Sequence, residues 1–179
     1  MRKIAALAHR PVEWHFIGPV QSNKTRPIAE RFAWVHSLDR EKIARRLSDQ
    51  RPADLPPLMV CVQVNVSGEA SKRGVPPAEA ARLAHFVAEL PRLKLRGLMT
   101  IPAPSDYPLV QRSQFRRLHD LFAELNGQGL GLDTLSMGMS DDLEAAIMEG
   151  ATLVRVGTAI FGRRATAVET CPGLDSVDH

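Results

Sequence analysis

A serine, an arginine and two glycine-containing turns fall within one short stretch near the end of this chain, and their spacing suits the binding of a phosphate group. Ser136-Met-Gly-Met-Ser-Asp-Asp142 is followed by a helical interval and then by Arg155-Val-Gly-Thr-Ala-Ile-Phe-Gly162. Thr134–Ser136 and Leu153–Val156 read as short apolar strands, each ended by a glycine turn and followed by a helical pattern. Ser140 is placed to cap a helix over Asp141–Glu149, and Gly157-Thr158 opens a second helical piece. Neighbouring strand ends of this kind bring a hydroxyl, orphan backbone N–H groups and helix N-termini to one point, which favours a phosphate dianion. The plainer alternative is that Ser140 and Thr158 are ordinary caps and Gly157 serves a tight turn. Arg155 weighs toward the ligand, because a guanidinium in a buried strand needs a partner. Asp142, Glu144 or an acceptor atom of a ligand could supply it.

The elements that must position these residues follow from composition and periodicity. The chain has 179 residues, 44% of them hydrophobic, enough for one domain with a real core. A net charge of +3 comes from basic pairs scattered along the chain, and two Trp and one Tyr leave little for base stacking, so nucleic-acid binding is weakly supported. Cys61 lies in an apolar strand run and Cys171 in the tail; reduced thiols and a cytoplasmic setting are the expectation. No stretch has the length and apolarity of a membrane span. The six histidines are dispersed without metal-ligand spacing.

In chain order, Met1–His9 reads as the last turns of a helix and Val12–Ile17 as a strand ended by Gly18-Pro19. A helix runs from Gln21 to about Phe32, Trp34–Ser37 is a strand, and Asp39 is placed to cap a helix to Ser48. Leu58–Val66 is the clearest buried strand, followed by a polar turn holding Lys72 and an Ala-rich helix over Pro76–Leu90. Leu93–Ile101 is a strand and Tyr107–Leu125 a long helix with Phe115, Leu118, Leu121 and Phe122 at core spacing. From Arg163 a polar tail is expected. The alternation is that of an α/β protein with a parallel sheet, and about six strand–helix units suggest a (β/α) barrel. A closed barrel of this kind takes eight units and about 250 residues. Either the sheet is open and doubly wound or the first two units are missing; the second is favoured, so the expectation is a partial barrel over residues 1–164 with a tail over 165–179.

Four motifs extend over nearly the whole chain: Trp14-His-Phe-Ile-Gly-Pro-Val-Gln-Ser-Asn-Lys24, Leu95-Arg-Gly-Leu-Met-Thr-Ile-Pro102, Leu135-Ser-Met-Gly-Met-Ser-Asp-Asp142 and Val154-Arg-Val-Gly-Thr-Ala-Ile-Phe-Gly162. In these motifs and their order the sequence closely resembles the pyridoxal phosphate homeostasis proteins, the YggS/PROSC family. That resemblance implies a (β/α)8 TIM barrel of alanine racemase N-terminal type that binds pyridoxal 5'-phosphate (PLP) without established turnover. Its recipients would be apo PLP enzymes.

Carried over by motif, Ser140, Gly157 and Thr158 would hold the PLP phosphate and Arg155 would face the pyridine nitrogen. Met99 and Ile101 would lie near the ring, and Lys72 toward its phenolic side. His15, Gly18, Ser22 and Asn23 would line the rim. A guanidinium cannot accept a hydrogen bond, so a pyridine nitrogen beside Arg155 is the unprotonated acceptor, a poor electron sink. The resemblance thus implies holding PLP, or at most proton transfer as in a racemase; an inactive truncated form is the third reading. The family's Schiff-base lysine ends the first barrel strand, and no lysine here sits in that motif. A start misplaced downstream, or a fragment, is the expectation.

Overall fold

The computed structural model describes residues 4, 6, 7 and 9–162. The expected helix end at Met1–His9 lies largely outside the described residues, and the tail from Arg163 wholly so. Five strands pair in parallel in the order of the chain: β1 (His15–Phe16), β2 (Trp34–Leu38), β3 (Leu58–Gln63), β4 (Leu93–Met99) and β5 (Thr134–Ser136). Between them run α1 (Thr25–Arg31), α2 (Glu41–Gln50), α3 (Pro77–Ala88) and α4 (Pro108–Gly127), with α5 (Leu143–Met148) and α6 (Thr158–Phe161) after β5. Consecutive parallel pairing with a helix in each crossover is the arrangement of a partial (β/α) barrel.

β2, β3 and β5 are largely buried on both faces, whereas β1 is half-buried and β4 exposes Lys94. Val35, Leu38, Val60, Val62, Leu95 and Leu98 pack outward against Ile28, Ile43, Leu47, Leu83, Val87, Phe115 and Leu118 of the helices. Trp34, Cys61 and Met99, with Met59 and Ile101, form a separate inward cluster. In β3 period-two alternation sorts Val60 and Val62 to one core and Met59 and Cys61 to the other, which is why it reads as one continuous apolar run; its pairing with β2 and β4 passes through register shifts. Burial pushes the Cys61 thiol up to about 12, so it is held as a neutral, unreactive packing group.

Two local expectations are corrected. Asp39 does not cap α2; the extended Arg40 precedes the helix, and the Asp39 carboxylate instead accepts from Arg40 Nη1 at 3.0 Å. The strand expected at Leu153–Val156 is reduced to one bridge, Ser136 to Leu153. The Met137 N–H donates to the Leu153 carbonyl at 3.1 Å, but Arg155 N–H then reaches Gly138 O (3.0 Å) rather than the carbonyl a regular parallel ladder would use. Gly138 sits at φ +92°, and this turn shifts the pairing by one residue.

The α4–α5 pair is fastened by Glu149, which is buried and accepts hydrogen bonds from Arg112 Nε at 2.7 Å and from Arg116 Nε. The Arg116 hydrogen bond, followed by that of Arg112, holds its carboxyl below the ordinary value of 4.5. The folded carboxyl thus binds its proton less readily than the unfolded one, so its contribution is present above about 4.5 and is lost as pH falls through the lower folded value. Glu149→Gln is expected to lower the midpoint of urea unfolding at pH 7 and to flatten its decline below pH 5. Equal losses at pH 7 and pH 3 would contradict this.

Candidate functional site

The loops after β5 and after Leu153 meet at the carboxyl ends of the strands. Their sequence does not build the helix caps expected there. Residues 140–142 form a turn, and α5 begins at Leu143 with Asp142 in the N-cap position. Ser140 therefore does not cap a helix over Asp141–Glu149. The turn is closed by the Asp142 carboxylate, which folds back to accept the Met139 N–H at 2.6 Å, so the helix starts only after it. The second short helix forms as expected, with the N–H groups of Ile160 and Phe161 donating to Gly157 O at 3.0 and 2.9 Å. With α5 and α6 only six and four residues long, loop amides rather than a helix dipole are what this corner offers an anion.

Two of the cavities at this corner are lined by Arg155. One, of about 720 Å³, is lined by His15, Ile17, Met139, Ser140, Asp141 and the run from Leu153 to Gly157. The other, of about 410 Å³, is lined by residues that include Lys72, Ile101, Gly138, Met139, Asp141 and Arg155. Arg155 is common to both. Its Nη1 donates to Ser136 Oγ at 2.9 Å and its Nη2 to Thr100 O at 2.8 Å, while Nε has no hydrogen-bond partner among the described residues. Burial pulls its pKa below the ordinary arginine value, opposed by the Asp142 charge. No carboxylate lies within ion-pair distance of it among the described residues, so neither Asp142 nor Glu144, the carboxylates considered from the sequence, pairs with it.

Behind Arg155 lies a polar column of which sequence reading named only His15 as a site residue, missing His36, Ser136 and Glu13. His36, fully buried on β2, places Nδ1 2.9 Å from Ser136 Oγ and Nε2 2.8 Å from His15 Nδ1. His15 Nε2 lies 3.0 Å from Glu13 Oε1, which also accepts from Trp34 Nε1 at 3.1 Å. His15, Trp34 and His36 stack with centroids 5.1–5.4 Å apart. The alternate positions 34 and 36 on β2 were the available signal, since a buried aromatic and a histidine on one strand face require a polar partner.

The structure brings His15, Ser140, Arg155 and Gly157 to the larger cavity, and Lys72, Ile101 and Arg155 to the smaller. Met99 is fully buried in the inward cluster. Gly18 accepts from Ser37 Oγ at 2.6 Å, and Ser22 and Asn23 form a 3-10 turn before α1; none of the three lines either cavity. Thr158 is the first residue of α6, and its side chain lies outside the described residues. Among the described residues no group of His, Cys, Asp and Glu is placed to hold a metal, and no helix is long and apolar enough to cross a membrane.

The family described as alanine racemase, N-terminal domain, matches residues 6–165. The pyridoxal phosphate homeostasis protein of Pseudomonas aeruginosa is 66% identical over 162 residues, covering 90% of this chain and 69% of its own length. The protein of the same name from Escherichia coli K12 is 56% identical over 164 residues, covering 92% and 70%. Among solved structures, PipY of Synechococcus elongatus with PLP bound superposes with a TM-score of 0.81 at 34% identity, covering 90% of this chain and 76% of that one. Alanine racemase from Corynebacterium glutamicum shares the fold, with a TM-score of 0.70 at 17% identity, and covers 92% and 47%. These matches and the parallel partial barrel agree: the chain belongs to the pyridoxal phosphate homeostasis protein family, built on the alanine racemase N-terminal barrel.

Proposed function

We propose that this protein binds pyridoxal 5'-phosphate and serves its homeostasis in the cytoplasm, holding, buffering and delivering it to apo enzymes rather than turning over a substrate. One observation carries the reading: a desolvated guanidinium, Arg155, stands between two cavities with its Nε unpaired and with no carboxylate within ion-pair distance among the described residues. Such a group favours a ligand that presents an acceptor atom and negative charge, and PLP carries both a pyridine nitrogen and a phosphate. Arg155 would meet the ring nitrogen, with Met99 and Ile101 beside the ring and Lys72 across the smaller cavity. Ser140, Gly157 and Thr158 would hold the phosphate, and His15, Gly18, Ser22 and Asn23 would form the rim on the β1 side. When bound elsewhere, PLP supplies an electrophilic aldehyde and an electron-accepting ring. Here the arginine would keep the ring nitrogen an acceptor, which supports carriage over carbanion chemistry.

A racemase reading is disfavoured by the sole tyrosine. Tyr107 is 73% exposed at the start of α4 and lines neither cavity, so it is not placed as an opposite base. Titration of this chain with PLP, followed by absorbance, is expected to give a saturable spectral change that inorganic phosphate suppresses. Saturable phosphate binding without any PLP response would instead support a binder of other phosphate esters.

A further inference from the structure

The polarity of the column behind Arg155 follows from donor and acceptor chemistry. A guanidinium only donates, so Ser136 Oγ accepts from Arg155 Nη1. The serine hydroxyl hydrogen is then free to go to His36 Nδ1, which leaves the proton of His36 on Nε2, pointing at His15 Nδ1. His15 in turn carries its proton on Nε2 and donates to the Glu13 carboxylate. This assignment satisfies every contact in one direction. Burial, the largest cause, pushes His36 down to about 4, in keeping with a neutral ring. The stacking on Trp34, itself tied to Glu13, fixes both rings in the planes this chain of bonds needs.

We propose that His36 is a positioning residue: acting through the Ser136 hydroxyl, it fixes the Arg155 guanidinium in the orientation in which it meets the bound ligand. This rests on the reading of Arg155 as the group that faces PLP, and neither His36 nor Ser136 is assigned a contact with the ligand. Without His36 the serine hydroxyl can rotate, and one of the two bonds that orient the guanidinium is weakened. The other, to Thr100 O, leaves it free to swing.

The test uses the whole chain and two readouts, one without ligand. The first is the Arg155 Nε–H resonance and its exchange with water, measured by 15N NMR and assigned by its loss in Arg155→Met. The second is the PLP dissociation constant. His36→Leu and Ser136→Ala are each expected to speed Nε–H exchange and to weaken PLP about tenfold, the scale of one hydrogen bond to a charged group. His36→Asn keeps an acceptor near the Nδ1 position and is expected to restore both to within about threefold of wild type. Ser136→Ala serves independently should His36→Leu fail to fold. Unchanged Nε–H exchange in the folded variants overturns the proposal. So does altered exchange with unaltered PLP affinity, provided Arg155→Met weakens PLP. If Arg155→Met leaves PLP binding intact, it is the Arg155 reading that fails, and the exchange data still decide whether His36 orders the guanidinium.

Discussion

Gly97→Ala is expected to destabilise the fold by more than about 3 kcal/mol, at or beyond the upper end of ordinary overpacking. A Cβ on Gly97 would lie 1.7 Å from the backbone oxygen of Thr134 and 2.6 Å from its carbonyl carbon. These are atoms of the neighbouring strand, paired in register with Gly97, so no rotamer change relieves the clash. Relief requires β4 and β5 to separate, and β5 carries Ser136, which holds Arg155. For a chain of this size such a loss lowers the melting temperature by roughly 10 °C. Gly127→Ala is the control: nothing lies within 4 Å of its added Cβ, and its effect is expected to be near zero. Thermal unfolding of the two variants compares them directly; similar small shifts would show that β5 gives way easily.

Arg155→Met is expected to weaken PLP binding by about 2 kcal/mol, roughly thirtyfold, as befits loss of a charged hydrogen-bond donor from a desolvated site. Arg155→Lys is expected to recover little of it. The native side chain bonds Ser136 Oγ and Thr100 O with two different nitrogens while its Nε remains unpaired, a fork that a single ammonium cannot reproduce. Equilibrium binding of PLP to the three proteins, with far-ultraviolet circular dichroism as a check of folding, makes the comparison. Full affinity in the lysine variant would mean that charge alone matters and that the fork geometry does not.

Much of this architecture was legible from local pattern. Alternating strands and helices gave the parallel class, because a strand buried on both faces is apolar throughout and the crossover helices carry their own 3.6-residue stripe. Residues 134–136 and 93–99 were placed within a residue or two, and the long helix at Pro108–Gly127 was anticipated from Phe115 and Leu118. The four motifs were enough to name the family, since long motifs in fixed order carry more information than any periodicity.

What sequence could not supply was the environment of each group. Whether Arg155 meets Asp142, Glu144 or neither depends on where residues 19 and 55 positions away come to lie, and the answer is Ser136 and Thr100. His36 lies 100 residues from its partner Ser136, and only the curl of the sheet brings them to 2.9 Å. The loss of regular pairing after Leu153 turns on the φ of Gly138, and the start of α5 at Leu143 follows an aspartate that folds back onto the Met139 N–H. Periodicity and motif order are properties of the chain itself and survive without a fold. Hydrogen-bond partnership and burial are properties of distance in space, so only the tertiary structure decides which of the chemically capable residues form one site.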